Sequence, residues 1–180
     1  MSSTDSLTKD LYFATVTVVG WADSFTRPTY KHVILDSLDY CRLHKQLEIY
    51  AWVLMPNHLH LIVSADTSER VNGVLRDFKK FTSKKILALL LDDIQESRRG
   101  WMLRLFHIAG AEDRKISGYR FWQRGCHVEM LSSLDFFLQK LHYIHQNPVK
   151  AEIVAKPEDY LYSSAIDYAG GTGLLDVIVV

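Results

Sequence analysis

His58 and His60 stand two residues apart in the run PNHLHLIV at 56–63. If this run is a β-strand, residues i and i+2 share a face, so both imidazoles project together while Leu59, Leu61 and Val63 point the other way. Paired imidazoles on one face are a metal-ligand geometry or a pair of surface histidines. A second pair lies in LHYIHQNPVK, where Tyr143 and Asn147 are four apart. On a helix that spacing puts them one turn from each other on one face, with His145 and Gln146 pointing elsewhere. A phenol beside a cation held by two histidines is a nucleophile suited to a phosphate. Its ordinary pKa is about 10, so it is mostly protonated at neutral pH. A nearby cation favours the phenolate and neutralises charge on the phosphate. Asn147 could add an oxygen as third ligand, and a mixed N/O set with open positions suits Mn²⁺ or Mg²⁺, with zinc possible in vitro.

These residues need elements to hold them. LYFATVTVVGW (11–21) is rich in β-branched and aromatic residues and predicts a first strand. Pro28 opens a helix whose apolar positions Tyr30, Ile34, Leu38 and Cys41 recur at helical spacing. LEIYAWVLM (47–55) predicts a second strand, with Trp52 in the core. Pro56-Asn57 is a turn signal, and HLHLIVS (58–64) completes a hairpin. A second helix starts near Ser68, read as its N-cap, with Val71, Val74, Leu75, Phe78 and Thr82 as its buried stripe. Residues 92–120 hold a short amphipathic piece and a Gly- and charge-rich loop. YRFWQRGCHVEM (119–130) predicts a fourth strand around Phe121–Trp122. SSLDFFLQKLHYIHQ (132–146) is a third helix, capped by Ser132 or Ser133 and ended or bent by Pro148. The tail is turn-rich, and LLDVIVV reads as a late strand, at an edge available for dimerisation or paired within its own sheet. The order β-α-β-β-α-β predicts an α+β, ferredoxin-like (split βαβ) antiparallel sheet with helices on one face, plus a C-terminal extension.

The chain has 180 residues, 48% hydrophobic, enough for one compact domain over 1–180. Lys+Arg and Asp+Glu both number 21, so any polyanion must be met by local patches and not by net charge. Cys41 and Cys126 are too few for a disulfide framework or a cysteine zinc site and read as reduced thiols of a cytoplasmic protein. The opening MSSTDSLTKDLYF has neither the basic nor the apolar region of a signal peptide. No apolar run approaches the ~20 residues of a membrane span.

MPNHLHLIV, FWQRG and LHYIHQNPVKAEIVAKPEDYLYSSAIDY closely resemble the single-tyrosine HUH transposases, above all the REP-associated tyrosine transposases and their insertion-sequence relatives. HUH denotes His-hydrophobic-His, here His58-Leu59-His60. The resemblance spans roughly residues 10–168 and weakens over 92–118. It implies Tyr143 as nucleophile, His58 and His60 as metal ligands and Asn147 as the third metal-binding side chain, where many insertion-sequence members carry the longer Gln. It also implies a metal-dependent strand-transferase that cuts and rejoins single-stranded DNA through a covalent 5′-phosphotyrosine, without ATP, at a hairpin or palindromic element. Insertion-sequence members form homodimers that place the tyrosine helix of one subunit beside the histidines of the other, whereas REP-associated relatives can act as monomers. The rival class is a non-catalytic, ferredoxin-like nucleic-acid-binding regulator. A water-using hydrolase is a third reading.

Basic residues supply candidate DNA contacts. Arg76, Lys79, Lys80 and Lys84, with Lys85 at the edge, crowd the second helix with only Asp77 to offset them. Arg98, Arg99, Arg104, Arg114, Lys115, Arg120 and Arg124 form a second region, interleaved with Trp101, Tyr119, Phe121 and Trp122, which could stack bases or fill the core. Arg120 and Arg124 are the chosen candidates of this group. Charged helix positions are ordinarily just solvated. Glu129 is read as a surface carboxylate at a strand end, and His142 and His145 as packing or DNA-facing.

Overall fold

The computed structural model describes residues 9–112 and 118–180. Arg114 and Lys115 lie outside the described residues. Strand β1 (Tyr12–Thr17) leads through two short 3₁₀ turns into helix α1 (Pro28–His44), which begins with the proline that its sequence places first. Strands β2 (Glu48–Leu54) and β3 (His58–Ser64) form the hairpin around Pro56-Asn57. Helix α2 (Ser68–Asp92) is capped by Thr67, one residue before the expected Ser68: its side chain accepts a hydrogen bond from the Arg70 N–H at 3.2 Å. Helix α3 (Arg99–Ala111) follows, then strand β4 (His127–Met130) and helix α4 (Leu134–Lys150).

The strands line up as β2-β3-β1-β4, every neighbour antiparallel. Each of α1 and α2 therefore joins two strands with one strand between them, the split βαβ plan. Alternation sorts the strand residues into two cores. Ala14, Val16, Trp52, Leu54, Leu59, Leu61 and Val63 pack with α1 and α2. Phe13, Ala51, Val53 and Ile62 pack on the opposite face with Phe137 and Ile144 of α4. The register of β2 breaks between Ile49 and Ala51, and this irregularity lets Tyr50 and Ala51 both join the second core. The two crossover helices share one face as expected. The other face is not bare, because α4 lies across it.

Two expectations require correction, and a third is narrowed. The fourth strand is His127–Met130, not Phe121–Trp122. Phe121 and Trp122 are buried and serve the first core, with Trp122 making only an isolated bridge to Val18. Of the two roles expected of Pro148, ending the helix is excluded, because α4 continues to Lys150. Proline removes the bond to the carbonyl four residues back, a loss confined here to the last turn. LLDVIVV forms no strand; its Ile178 N–H donates to the Ile49 carbonyl at 2.9 Å. With Leu54 N–H bonded to Tyr162 and Ser164 N–H to Trp52, the chain's own tail covers the outer edge of β2. That is the internal alternative, reached through single backbone bonds.

Candidate active site

Strand β3 presents His58 and His60 on one face, their ring centroids 4.6 Å apart. The β1 register sets Thr15 opposite His60, and Thr15 Oγ1 lies 2.8 Å from His60 Nδ1. His58 Nδ1 lies 2.6 Å from Asn57 Oδ1, and the Asn57 amide donates onward to Asp23 at 2.9 Å. Each imidazole is thus fixed through Nδ1, the arrangement by which an outer shell aims Nε2 at a ligand. His60 Nε2 is buried and has no hydrogen-bond partner among the described residues.

Helix α4 brings its chemistry to this face because Ser133 caps it, accepting from the Phe136 N–H at 3.1 Å, and Phe137 and Ile144 anchor it in the second core. The adjoining flank of the helix, with Tyr143 and Asn147, then faces the histidines. The Tyr143 ring stands edge-on to His60 at 5.2 Å and to Phe13 at 6.1 Å. Phe13 stacks on His60 at 5.3 Å. Tyr143 is 40% exposed, and its hydroxyl makes no hydrogen bond among the described residues. The Asn147 side chain lies close enough to the His58 ring to oppose the effect of burial on its pKa. The four expected site residues therefore converge within one chain.

Electrostatics favour neutral imidazoles. Burial pushes His60 down to about 3, helped by the neighbouring His58 and by Lys140. Burial also lowers His58, against the opposing effect of Asn147. A neutral ring is the ligating form. Two cations flank the phenol on the same side of α4. Lys140 bonds Glu129 at 2.9 Å and lies over Phe13 at 4.4 Å. Lys150 sits 5.7 Å from the Tyr143 ring centroid. Glu129 is thus half-buried beside the site and paired, not a detached strand-end carboxylate.

The nucleic-acid candidates are scattered. Arg76, Lys80 and Lys84 are exposed on α2, which packs on the sheet face opposite the histidines. Lys79 turns inward instead, its ammonium donating to the carbonyls of Gln123, at 2.8 Å, and Gly125. Arg120 and Arg124 both point towards Glu112 at the end of α3, at 4.0 Å to its carboxylate and 3.2 Å to its carbonyl. His145 is packing: it is buried, with Nε2 3.0 Å from Ser164 Oγ. Sequence reasoning missed Thr15, Asn57 and Lys140. Only Asn57 carried a signal, by its position beside His58.

The family model for IS200-like transposases matches residues 22–106. That stretch contains His58 and His60 and stops before Tyr143. Over that stretch the chain is similar to the IS200-like transposases, and this supports a place in the same superfamily. A solved REP-associated tyrosine transposase bound to a REP hairpin aligns with this chain at TM-score 0.57 and 20% identity, over 94% of this chain and 86% of that one. A candidate transposase from Deinococcus radiodurans R1 aligns at TM-score 0.45 and 14% identity, over 80% and 95%. Comparison with curated proteins gave no match. The first alignment establishes the shared fold: a four-stranded antiparallel sheet with helices.

Proposed function

We propose that this chain cuts and rejoins single-stranded DNA with Tyr143 as nucleophile, at a hairpin or palindromic element. The observation that carries the reading is the approach of Tyr143 to His60 within one chain, beside a buried His60 Nε2 that lacks a partner among the described residues. A buried nitrogen without a partner costs about 1–3 kcal/mol, and a cation relieves that cost. His58, His60 and Asn147 are the side chains that would hold a divalent Mg²⁺ or Mn²⁺ ion. When bound, such an ion neutralises phosphate charge and stabilises the departing oxygen.

The remaining steps belong to the side chains. Tyr143 Oη attacks the phosphorus and its proton passes to water. The bond from phosphorus to the 3′-oxygen breaks, the electron pair leaving with that oxygen, which takes up a proton. The product is a 5′-phosphotyrosine and a free 3′-OH. Attack by a 3′-OH on the same phosphorus reverses the step and rejoins the strand, so no ATP is consumed. Lys150 lies where it can hold a phosphate oxygen near the phenol. The tyrosine acts in cis, so one subunit carries a whole site.

Incubation with labelled single-stranded DNA and Mn²⁺, followed by a denaturing gel, tests this. A covalent adduct is expected from the native chain and none from Tyr143→Phe with DNA binding intact. An adduct that survives the substitution assigns the nucleophile elsewhere. DNA binding without any adduct favours the regulator, and free 5′-phosphate ends favour a hydrolase.

A further inference from the structure

The row of rings does not end at His58. Trp21 stands edge-on to it, centroids 5.7 Å apart, so Trp21, His58, His60 and Tyr143 form a continuous series. Trp21 is 58% exposed although it adjoins a half-buried site. Its backbone is left-handed at φ 54°, directly after Gly20 at φ 63°. A bulky residue in that region is an outlier that persists only where its surroundings impose it.

The surroundings here do so. Val18 N–H donates to the Asn57 carbonyl at 2.9 Å and Val19 N–H to the Phe121 carbonyl at 2.9 Å. Trp21 N–H closes the turn on Val18 at 3.1 Å. Leu105 of α3 lies over Gly20, where an added Cβ would come within 3.1 Å of it. The same Asn57 that fixes His58 thus also holds the turn beneath Trp21. The indole is placed by the machinery that places the metal-binding histidine, yet its own ring is turned to solvent.

We propose that Trp21 is the stacking platform for an unpaired base adjoining the reacting phosphate, which makes the site one for single-stranded nucleic acid with an exposed nucleobase. This rests on the reading of the site as one for single-stranded DNA. An aromatic face suits that ligand because every base has a π-face, so the contact fixes the strand without demanding one sequence. A rigid indole loses little freedom on binding, whereas a flexible side chain would have to be ordered first.

Fluorescence anisotropy with labelled oligothymidylate, using the full chain carrying Tyr143→Phe, tests the proposal. Adding Trp21→Ala is expected to weaken binding roughly ten-fold, and Trp21→Phe by less than about three-fold. A baseless oligomer of the same length is expected to bind equally well to the chains with and without Trp21→Ala. Equal binding of oligothymidylate with and without Trp21→Ala overturns the proposal, as does an equal loss for the baseless oligomer. Unchanged thermal melting checks that the variants fold. The adduct assay fails or succeeds independently: Trp21-dependent base binding without any adduct leaves stacking in place and removes the catalytic reading.

Discussion

Thr15 shows how much a site depends on residues that carry no chemistry. Its hydroxyl is paired with His60 Nδ1 at 2.8 Å, and that contact leaves Nε2 as the only ring nitrogen free for an ion. Thr15→Val keeps the shape and removes the hydroxyl. Mn²⁺ affinity, measured by calorimetric titration, is expected to fall about 10–100-fold, the usual effect of losing such a support. Unchanged affinity would show that His60 needs no orienting partner. At this scale the sequence was informative where period alone decides the outcome. His58 and His60 share a face because a strand alternates, and Tyr143 and Asn147 share one because a helix turns. Thr15 was illegible, since its place beside His60 depends on the register between β1 and β3. Trp21 was illegible because a left-handed turn held by distant backbone leaves no periodic mark. Lys79 misled for a related reason: a lysine that donates to the Gln123 and Gly125 carbonyls looks, in sequence, like any solvated one. Lys79→Ala is therefore expected to lower the melting temperature, through the 123–125 loop, more than Lys80→Ala, whose parent side chain is exposed. Equal melting of the two variants would contradict that assignment.

Helix α4 is the element on which the proposed function turns, since it brings the phenol to the histidines. Phe137, 1% exposed, ties it to the second core, whereas Phe106, fully buried, ties α3 to the first. Either Phe→Ala change is expected to cost about 3–5 kcal/mol in denaturant unfolding. Their effects on chemistry should differ. Phe137→Ala loosens the helix bearing Tyr143 and should slow adduct formation per folded molecule, while Phe106→Ala should leave that rate within about two-fold. Equal rates would mean α4 is positioned by contacts other than this core. Elements with strong periodicity were legible: the 58–64 strand and the start of α1 at Pro28 agree with the structure to the residue. The fourth strand was misplaced because Phe121 and Trp122 are apolar for the sake of the core, while HVEM is short, half-exposed and defined by pairing with β1. Pro148 does not end α4 because it stands in the last turn, where few helix bonds remain to be lost.

At the scale of the whole molecule, the two sheet faces divide the work: one is filled by α1 and α2, the other carries the site. The first face is braced by a buried carboxylate. Glu96 is 4% exposed and meets Arg27, at the start of α1, at 3.1 Å and Arg98, at the start of α3, at 3.0 Å. Arg27 also reaches Asp93 at 3.2 Å, so the cluster fastens α1 to the junction of α2 and α3. The hydrogen bond from Arg98, with further attraction from Arg98 and Arg27, holds the Glu96 carboxyl below its ordinary range although burial opposes this. The sign of its linkage follows. A carboxyl with a depressed folded pKa contributes stability that is fully present above the unfolded value, about 4.3, and is lost as pH falls through the folded value. Glu96→Gln leaves two guanidinium groups without their carboxylate. Both are about one-third exposed, so the expected loss at neutral pH is about 1–3 kcal/mol, less than for a fully buried pair. Urea unfolding across pH 7 to 3 checks this. The gap between native chain and variant should be constant above about pH 5 and narrow below about pH 4. A gap that stays constant to pH 3 would mean that the arginines are held by Asp93 and backbone carbonyls, and that the charge of Glu96 contributes nothing to joining the helices.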